Sequence, residues 1–419
     1  MRPKFQNPGY ARGYAVNSWK RPPLRNLRSN SAAHQASKRR SDWHVVLAAI
    51  VLLLAGCGRP APVSDDNASD VFRLSTRPGI TDGRGRFREV YCAVRRDHGA
   101  ALPHDRPCED SAALWRLQGE PPATGRPVAI GRVAPGTRVV IVPGLLAECV
   151  ADLSKVFSDA VANLEAQGYA TGYIQTRGRH GVDTNAEIIR DEIMALPAGE
   201  TLILVTHSKG TVETLEALAK YPELADRVAA VISVSGAVYG SPLVDSVPRA
   251  LVYLGEGMPL SACPPGERQE SVESLRRSVR LAWFTAHRLP DRVRFYSLAA
   301  FARPQDVSVV LAPFWLGLAK TDPANDGLVV ASDAIVPGST LLGYPNADHL
   351  AVAMPFEANP LINRNDYPRA VLLEAAVRAV QEDLGQRGAM AAHSSARRSP
   401  NAGTLRSDTE RNGDDEVGK

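Results

Sequence analysis

Two kinds of apolar run alternate between residues 136 and 384. Thr137–Val142 (TRVVIV), Thr201–Val205 (TLILV) and Ala229–Val234 (AAVISV) are short, β-branched and apolar at almost every position. That is the pattern of strands buried on both faces. Ala170–Thr176 and Arg292–Ala299 read as two further strands. Between them, Leu153–Leu164, Thr184–Leu196 and Lys209–Lys220 carry apolar residues at helical spacing. Strands alternating with helices predict an α/β domain whose mostly parallel sheet has helices on both faces. The alternation lapses over residues 243–290, which read as helical with polar breaks and are expected to form a cap-like insertion.

The flanks differ. Val45–Ala55 is an unbroken apolar run of eleven, preceded by Lys38-Arg39-Arg40 and ending in Leu54-Ala55-Gly56-Cys57. Such a run is short for a bilayer span and suits the core of an export signal. It resembles the bacterial lipoprotein signal, in which small residues precede a Cys that is lipidated and becomes the new N-terminus. The resemblance implies that residues 1–56 are removed, with an n-region that is long for such a signal. It implies that Cys57 carries the acyl chains, palmitate among them, and that the protein is held at the cell envelope. Gly58, where an Asp would retain the protein at the inner membrane, implies the outer membrane, facing the periplasm or the surface. Residues 57–135 are expected to be a tether and an irregular extension rich in Arg, Pro and Gly. Residues 385–419 are expected to be disordered, because they hold almost no large apolar groups.

Composition narrows the class. Apolar residues make up 44% of the chain and charged residues 22%, which excludes a wholly disordered chain, a collagen and a polytopic membrane protein. The net charge of +4 is misleading. Ten of the 49 Lys and Arg but only one of the 45 acidic residues lie in 1–56, so the remainder carries a net charge of about −5. A nucleic-acid partner is not expected. Cys57 aside, four cysteines remain, Cys92, Cys108, Cys149 and Cys263. In an exported chain they suggest two disulfides. Three connectivities exist, and nearness in sequence favours Cys92–Cys108 with Cys149–Cys263. The spacings do not suit zinc.

The strand TLILV runs straight into Thr206-His207-Ser208-Lys209-Gly210, and a helix follows at once. A serine hydroxyl is a weak nucleophile until a base takes its proton. A tight strand–helix turn projects that hydroxyl from the sheet, with the helix N-terminus facing any negative charge that develops. The segment resembles the nucleophile elbow of the α/β-hydrolase superfamily, Gly-x-Ser-x-Gly, with Thr206 in place of the first Gly. The resemblance implies a Ser-His-Asp triad. It also implies an oxyanion hole formed by the N–H groups of Leu145, in the Pro143-Gly144-Leu145-Leu146 loop, and of Lys209.

The triad order in this fold is Ser, acid, His. His349, in Asn346-Ala347-Asp348-His349-Leu350, is the expected base, since His287 ends an insertion helix and His393 lies in the tail. Asn325-Asp326-Gly327-Leu328-Val329 resembles the acid segment of bacterial true lipases and makes Asp326 the expected acid. Asp322, Asp333 and Asp348 are the alternatives. Gly240-Ser241-Pro242 resembles a further lipase segment. An Asp two residues after the His, a calcium ligand in those lipases, is replaced by Ala351, so no calcium site is expected. The side chain of Lys209 is expected in solvent, and His180 is either a loop residue or a substrate contact.

Together these features predict a membrane-anchored carboxylic ester hydrolase, lipase- or esterase-like, that needs no cofactor. Acyl transfer, thioester or polyester cleavage could use the same triad. A non-catalytic envelope-binding lipoprotein is the alternative of another class. The oligomeric state is not legible.

Overall fold

Seven parallel strands form one sheet in the order β1-β7-β6-β5-β4-β2-β3. They are β1 (Thr81–Asp82), β2 (Thr137–Val142), β3 (Ala170–Tyr173), β4 (Thr201–His207), β5 (Val228–Val234), β6 (Arg294–Leu298) and β7 (Thr340–Gly343). The helices are α1 (Arg84–Asp97), α2 (Ser158–Ala166), α3 (Val182–Ala195), α4 (Lys209–Lys220), α5 (Pro242–Ser246), α6 (Arg277–Ala286), α7 (Ala312–Leu318) and α8 (Arg369–Arg397). The computed structural model describes residues 79–131, 133, 136–145, 147, 154–247, 271–356 and 366–397. The expected signal, Cys57, Cys149, Cys263 and residues 398–419 lie outside the described residues. Among the described residues no helix is long and apolar enough to cross a membrane.

The alternation of each strand sorts the helices into two layers. Val139, Ile141, Ile203, Val205, Ala230 and Ile232 point to one face and pack against α1, α2 and α8. Val140, Val142, Leu202, Leu204 and Val231 point to the other and pack against α3 and α4. A period of two along the strand and an amphipathic stripe on each helix are sufficient to specify this arrangement. The third apolar cluster, around Trp115, Phe301, Trp315 and Tyr344, gathers the loops that follow β6 and β7.

Strand order reverses at β2, which has β3 on one side and β4 on the other. In an open parallel sheet, such a reversal leaves a crevice beyond the carboxyl ends of the strands, where ligands bind. The loop after β2 and the turn after β4 flank it.

Two expectations about the flanks are corrected. The described part of the segment read as irregular holds β1 and a 14-residue helix, α1, whose Phe87, Val90, Tyr91 and Val94 are core residues. Its arginines interrupt that apolar stripe, and Arg84, Arg86, Arg88 and Arg95 each have an acidic partner in the fold. Arg84 pairs with Asp82 at 2.6 Å, Arg86 with Glu382 at 2.7 Å and Arg95 with Asp105 at 2.7 Å. Arg88 is buried, pairs with Glu120 at 2.6 Å, and donates to the carbonyls of Cys108, Asp110, Leu114 and Trp115. One guanidinium thus satisfies backbone acceptors of a segment that has no ladder of its own. Cys92 of α1 is joined to Cys108, with Cα atoms 5.5 Å apart. The second correction concerns the C-terminus: α8 continues to Arg397, so residues 385–397 are helical. The expected cap-like insertion, 243–290, is described only in part. In its described part, α6 lies along the α3–α4 face, where Trp283 and Phe284 pack on the apolar cluster and Arg280 Nε donates to Val238 O at 3.1 Å. Residues 248–270 lie outside the described residues.

Candidate active site

Ser208 occupies the single residue between β4 and α4, at φ 56° and ψ −127°. A non-glycine residue at positive φ is strained, and such strain is tolerated where the surroundings over-determine the turn. Here they do. A Cβ at Gly210 would lie 2.3 Å from Pro143 O and 2.6 Å from Val142 O, and one at Gly144 would lie 2.7 Å from Ser208 Cβ. The β2 loop and the elbow therefore touch backbone to backbone, and only glycine fits at either contact. The same closeness sets the β2 loop against the start of α4: the Cβ position of Gly144 is 3.3 Å from Lys209 N.

Thr206, where the family motif has Gly, is accommodated by a hydroxyl chain. Its Oγ1 is 2.8 Å from Thr211 Oγ1, which is 3.2 Å from Ser233 Oγ on β5. All three hydroxyl residues are fully buried, and each has a partner.

The structure brings Asp326 and His349 together. His349 Nδ1 is 2.7 Å from Asp326 Oδ2, and His349 N donates to Asp326 O at 2.8 Å. Both side chains are buried. The Asn-Asp-Gly turn prepares the carboxylate. Asn325 Oδ1 accepts from Gly327 N at 3.0 Å, and Asp326 Oδ1 accepts from Leu328 N at 2.9 Å and Val329 N at 2.7 Å. One carboxylate oxygen is thus held by the backbone and the other is left for the imidazole. Ser241, from the Gly-Ser-Pro segment, donates to Leu328 O and ties β5's following loop to this turn.

The alternative acids are elsewhere. Asp333 pairs with Arg277 at 2.8 Å, and Asp322 accepts from Ala324 N at 2.8 Å. Asp348 turns away from the imidazole: it accepts from Leu350 N, Ala351 N and Ser308 N, holding the base loop to the loop after β6. Burial pushes its carboxyl above the usual range.

His207 bridges the two halves of the site. Its ring lies 4.7 Å from that of His349, and its Nε2 donates to His349 O at 3.1 Å. Burial, and then the neighbouring His349, hold it well below the ordinary histidine value, so it is neutral. Since His207 is bonded covalently to Ser208, this contact fixes the elbow against the base loop.

One expectation fails plainly. The Lys209 side chain is fully buried, not solvated: Nζ donates to His180 O at 2.9 Å and to Glu213 Oε1. His180 is buried on the loop after β3. Neither Glu213 nor its second partner, Asn185, was flagged by the sequence. A buried i,i+4 pair reads the same as the solvated pair that helices usually carry. Among the described residues, the one cluster of groups within metal-ligating range is Cys92, Cys108 and Glu109, and its two sulfurs are in the disulfide.

No family model matches the chain, and no curated protein does. Among solved structures, it is similar to the metagenomic carboxyl esterase MGS0156, with 52% identity and a TM-score of 0.71 over 80% of this chain and 99% of that one. It also aligns with the Bacillus licheniformis lipase BlEst2 in mature form, at 21% identity and a TM-score of 0.42 over 54% of this chain and 89% of that one. The phospholipase PlaB from Legionella pneumophila aligns at 16% identity and a TM-score of 0.34, over 48% of this chain and 45% of that one. Those two are too distant to bear on function. With half its residues shared along the whole length of the first, the chain belongs to that carboxyl esterase family and is a carboxylic ester hydrolase of the α/β-hydrolase fold.

Proposed function

We propose that Ser208, His349 and Asp326 are the catalytic triad of this esterase, and that it works from a lipid anchor at Cys57. Ser208 Oγ attacks the ester carbonyl carbon while His349 Nε2 takes its proton. The carbonyl electrons move to oxygen, and the oxyanion is held by the N–H groups of Leu145 and Lys209. The imidazolium returns its proton to the leaving alkoxide, and an acyl-serine remains. Water, deprotonated by the same imidazole, releases the acid and restores Ser208. Asp326 holds the tautomer with hydrogen on Nδ1 and stabilises the imidazolium without accepting the proton. Each oxyanion donor is worth roughly 3 kcal/mol of transition-state stabilisation.

The observation that carries this reading is the buried 2.7 Å contact between His349 Nδ1 and Asp326 Oδ2, with His207, the neighbour of the strained Ser208, bonded to the His349 carbonyl. The test is labelling of the detergent-extracted full chain by a fluorophosphonate, with peptide mapping. Labelling at Ser208 that is lost in Ser208→Ala and His349→Ala is expected. A folded wild-type chain that does not label would overturn the triad. The anchor rests on the Leu54-Ala55-Gly56-Cys57 pattern. Its test is metabolic labelling with an alkyne palmitate, which Cys57→Ser should abolish.

A further inference from the structure

The residue after the nucleophile carries an ion pair that the triad does not use. Lys209 and Glu213 are both buried, on the first turn of α4. Asn185, on the first turn of α3, donates to Glu213 Oε1 at 2.6 Å. Asn185 also brackets Arg177, accepting from its N–H at 3.0 Å and donating to its carbonyl at 2.9 Å. Lys209 Nζ closes the circuit on His180 O. One hydrogen-bonded network therefore joins the start of α4, the start of α3 and the 177–181 loop. That loop follows β3, the neighbour of β2, whose own loop holds Gly144 and Leu145.

A pair this deeply buried gives little net stability over an apolar pair of the same volume, because desolvation of both charges offsets their attraction. Burial also pushes the Glu213 carboxyl upward, with Lys209 opposing that rise. What the network does supply is direction. The side chain of Lys209 is fixed at its far end on another element, so the peptide between Ser208 and Lys209 cannot rotate independently of the β3 side of the crevice.

We propose that Lys209, Glu213 and Asn185 form a positioning network for the oxyanion hole, holding the Lys209 N–H at the angle the tetrahedral intermediate requires. This rests on the triad and oxyanion reading above. The three side chains act through the backbone and do not touch the ester.

The test is the double variant Lys209→Met/Glu213→Gln, which removes both charges together and strands neither. The readouts are kcat and KM on a short-chain p-nitrophenyl ester, the inhibition constant of a trifluoromethyl ketone, that of the product carboxylate, and the melting temperature. A trifluoromethyl ketone forms a hemiketal oxyanion with the serine and reports on the hole directly. The expected result is a melting temperature near that of wild type and a kcat lower by about 10- to 100-fold, since small misplacements of catalytic groups cost that much. KM and product binding should hardly change, and the trifluoromethyl ketone should weaken by the same factor as kcat/KM. Should the double variant not fold, Asn185→Ala, which leaves the ion pair whole and cuts its tie to the 177–181 loop, is read in the same way. Unchanged kcat and unchanged ketone affinity in a folded variant would overturn the proposal and leave the network a structural tie. A wild-type chain inert to fluorophosphonate would instead overturn the reading on which it rests.

Discussion

Two buried carboxylates organise two ends of this molecule. Glu213 accepts from Lys209 and Asn185 beneath the elbow. Glu374, on α8, accepts from Arg378 Nε at 2.7 Å, Asn163 Nδ2 at 2.7 Å and His98 Nε2 at 2.8 Å. Both are essentially inaccessible, and both clamp elements distant in sequence. The chemistry is the same, yet the consequences differ with what is clamped. Glu374 holds α1, α2 and α8 on the sheet face away from the elbow helix, where a loosened contact costs only stability. Glu213 pairs with Lys209, the residue after the proposed nucleophile Ser208, where on the reading above an angle of a few degrees changes a rate. A buried ion pair is thus no guide to function until the element it fixes is known.

The contrast can be broken in several ways. The largest effect belongs to the site itself: Asp326→Asn should lower kcat by about 10⁴-fold by favouring the wrong imidazole tautomer. Its melting temperature should move by only a few degrees, checked by calorimetry alongside steady-state kinetics. At the other end, Glu374→Gln should cost about 3 kcal/mol in urea denaturation, because it leaves Arg378 poorly compensated in the interior. Its kcat at 25 °C should be that of wild type, and a large loss of kcat would erase the distinction drawn above. Gly210→Ala should lie between the two classes. The new methyl must part the β2 loop from the elbow, so both roughly 1–3 kcal/mol of stability and much of the activity should go together.

The smallest effect is in pH. His98, despite the cost of its partial burial, is raised above its ordinary value by hydrogen bonds to Asp97 and Glu374. Its contribution is complete below about pH 6.5 and fades as pH rises through its higher folded value. His207 is lowered, so it acts in the opposite sense: stability is complete above about pH 6.5 and falls as acid charges the unfolded chain first. Urea midpoints from pH 5 to 8 should therefore lose their acid limb in His207→Gln and their alkaline limb in His98→Gln.

Much of the fold was legible because its strands are unambiguous. TRVVIV and Thr201–Val205 admit no other reading, and the elbow between a strand and a helix is a local signal. Asp326 and His349 were legible through short segments whose turn chemistry is specific. The missing parts share a different cause. α1 was missed because arginines interrupt its apolar stripe, and their partners, Glu120, Glu382 and Asp105, are named only by the tertiary structure. β1 is only two residues long, too short for periodicity to register, and no strand is read from the sequence at β7. Lys209 was misread for the same reason as α1: whether a charge is solvated or paired in the interior is not written in its neighbours along the chain.

The position of β1 has a consequence for how the enzyme meets its surroundings. The chain enters the sheet at Thr81 alongside Thr340, at the amino ends of parallel strands, whereas Ser208 and His349 stand beyond their carboxyl ends. The chain therefore joins the sheet at one pole, and the crevice opens at the other.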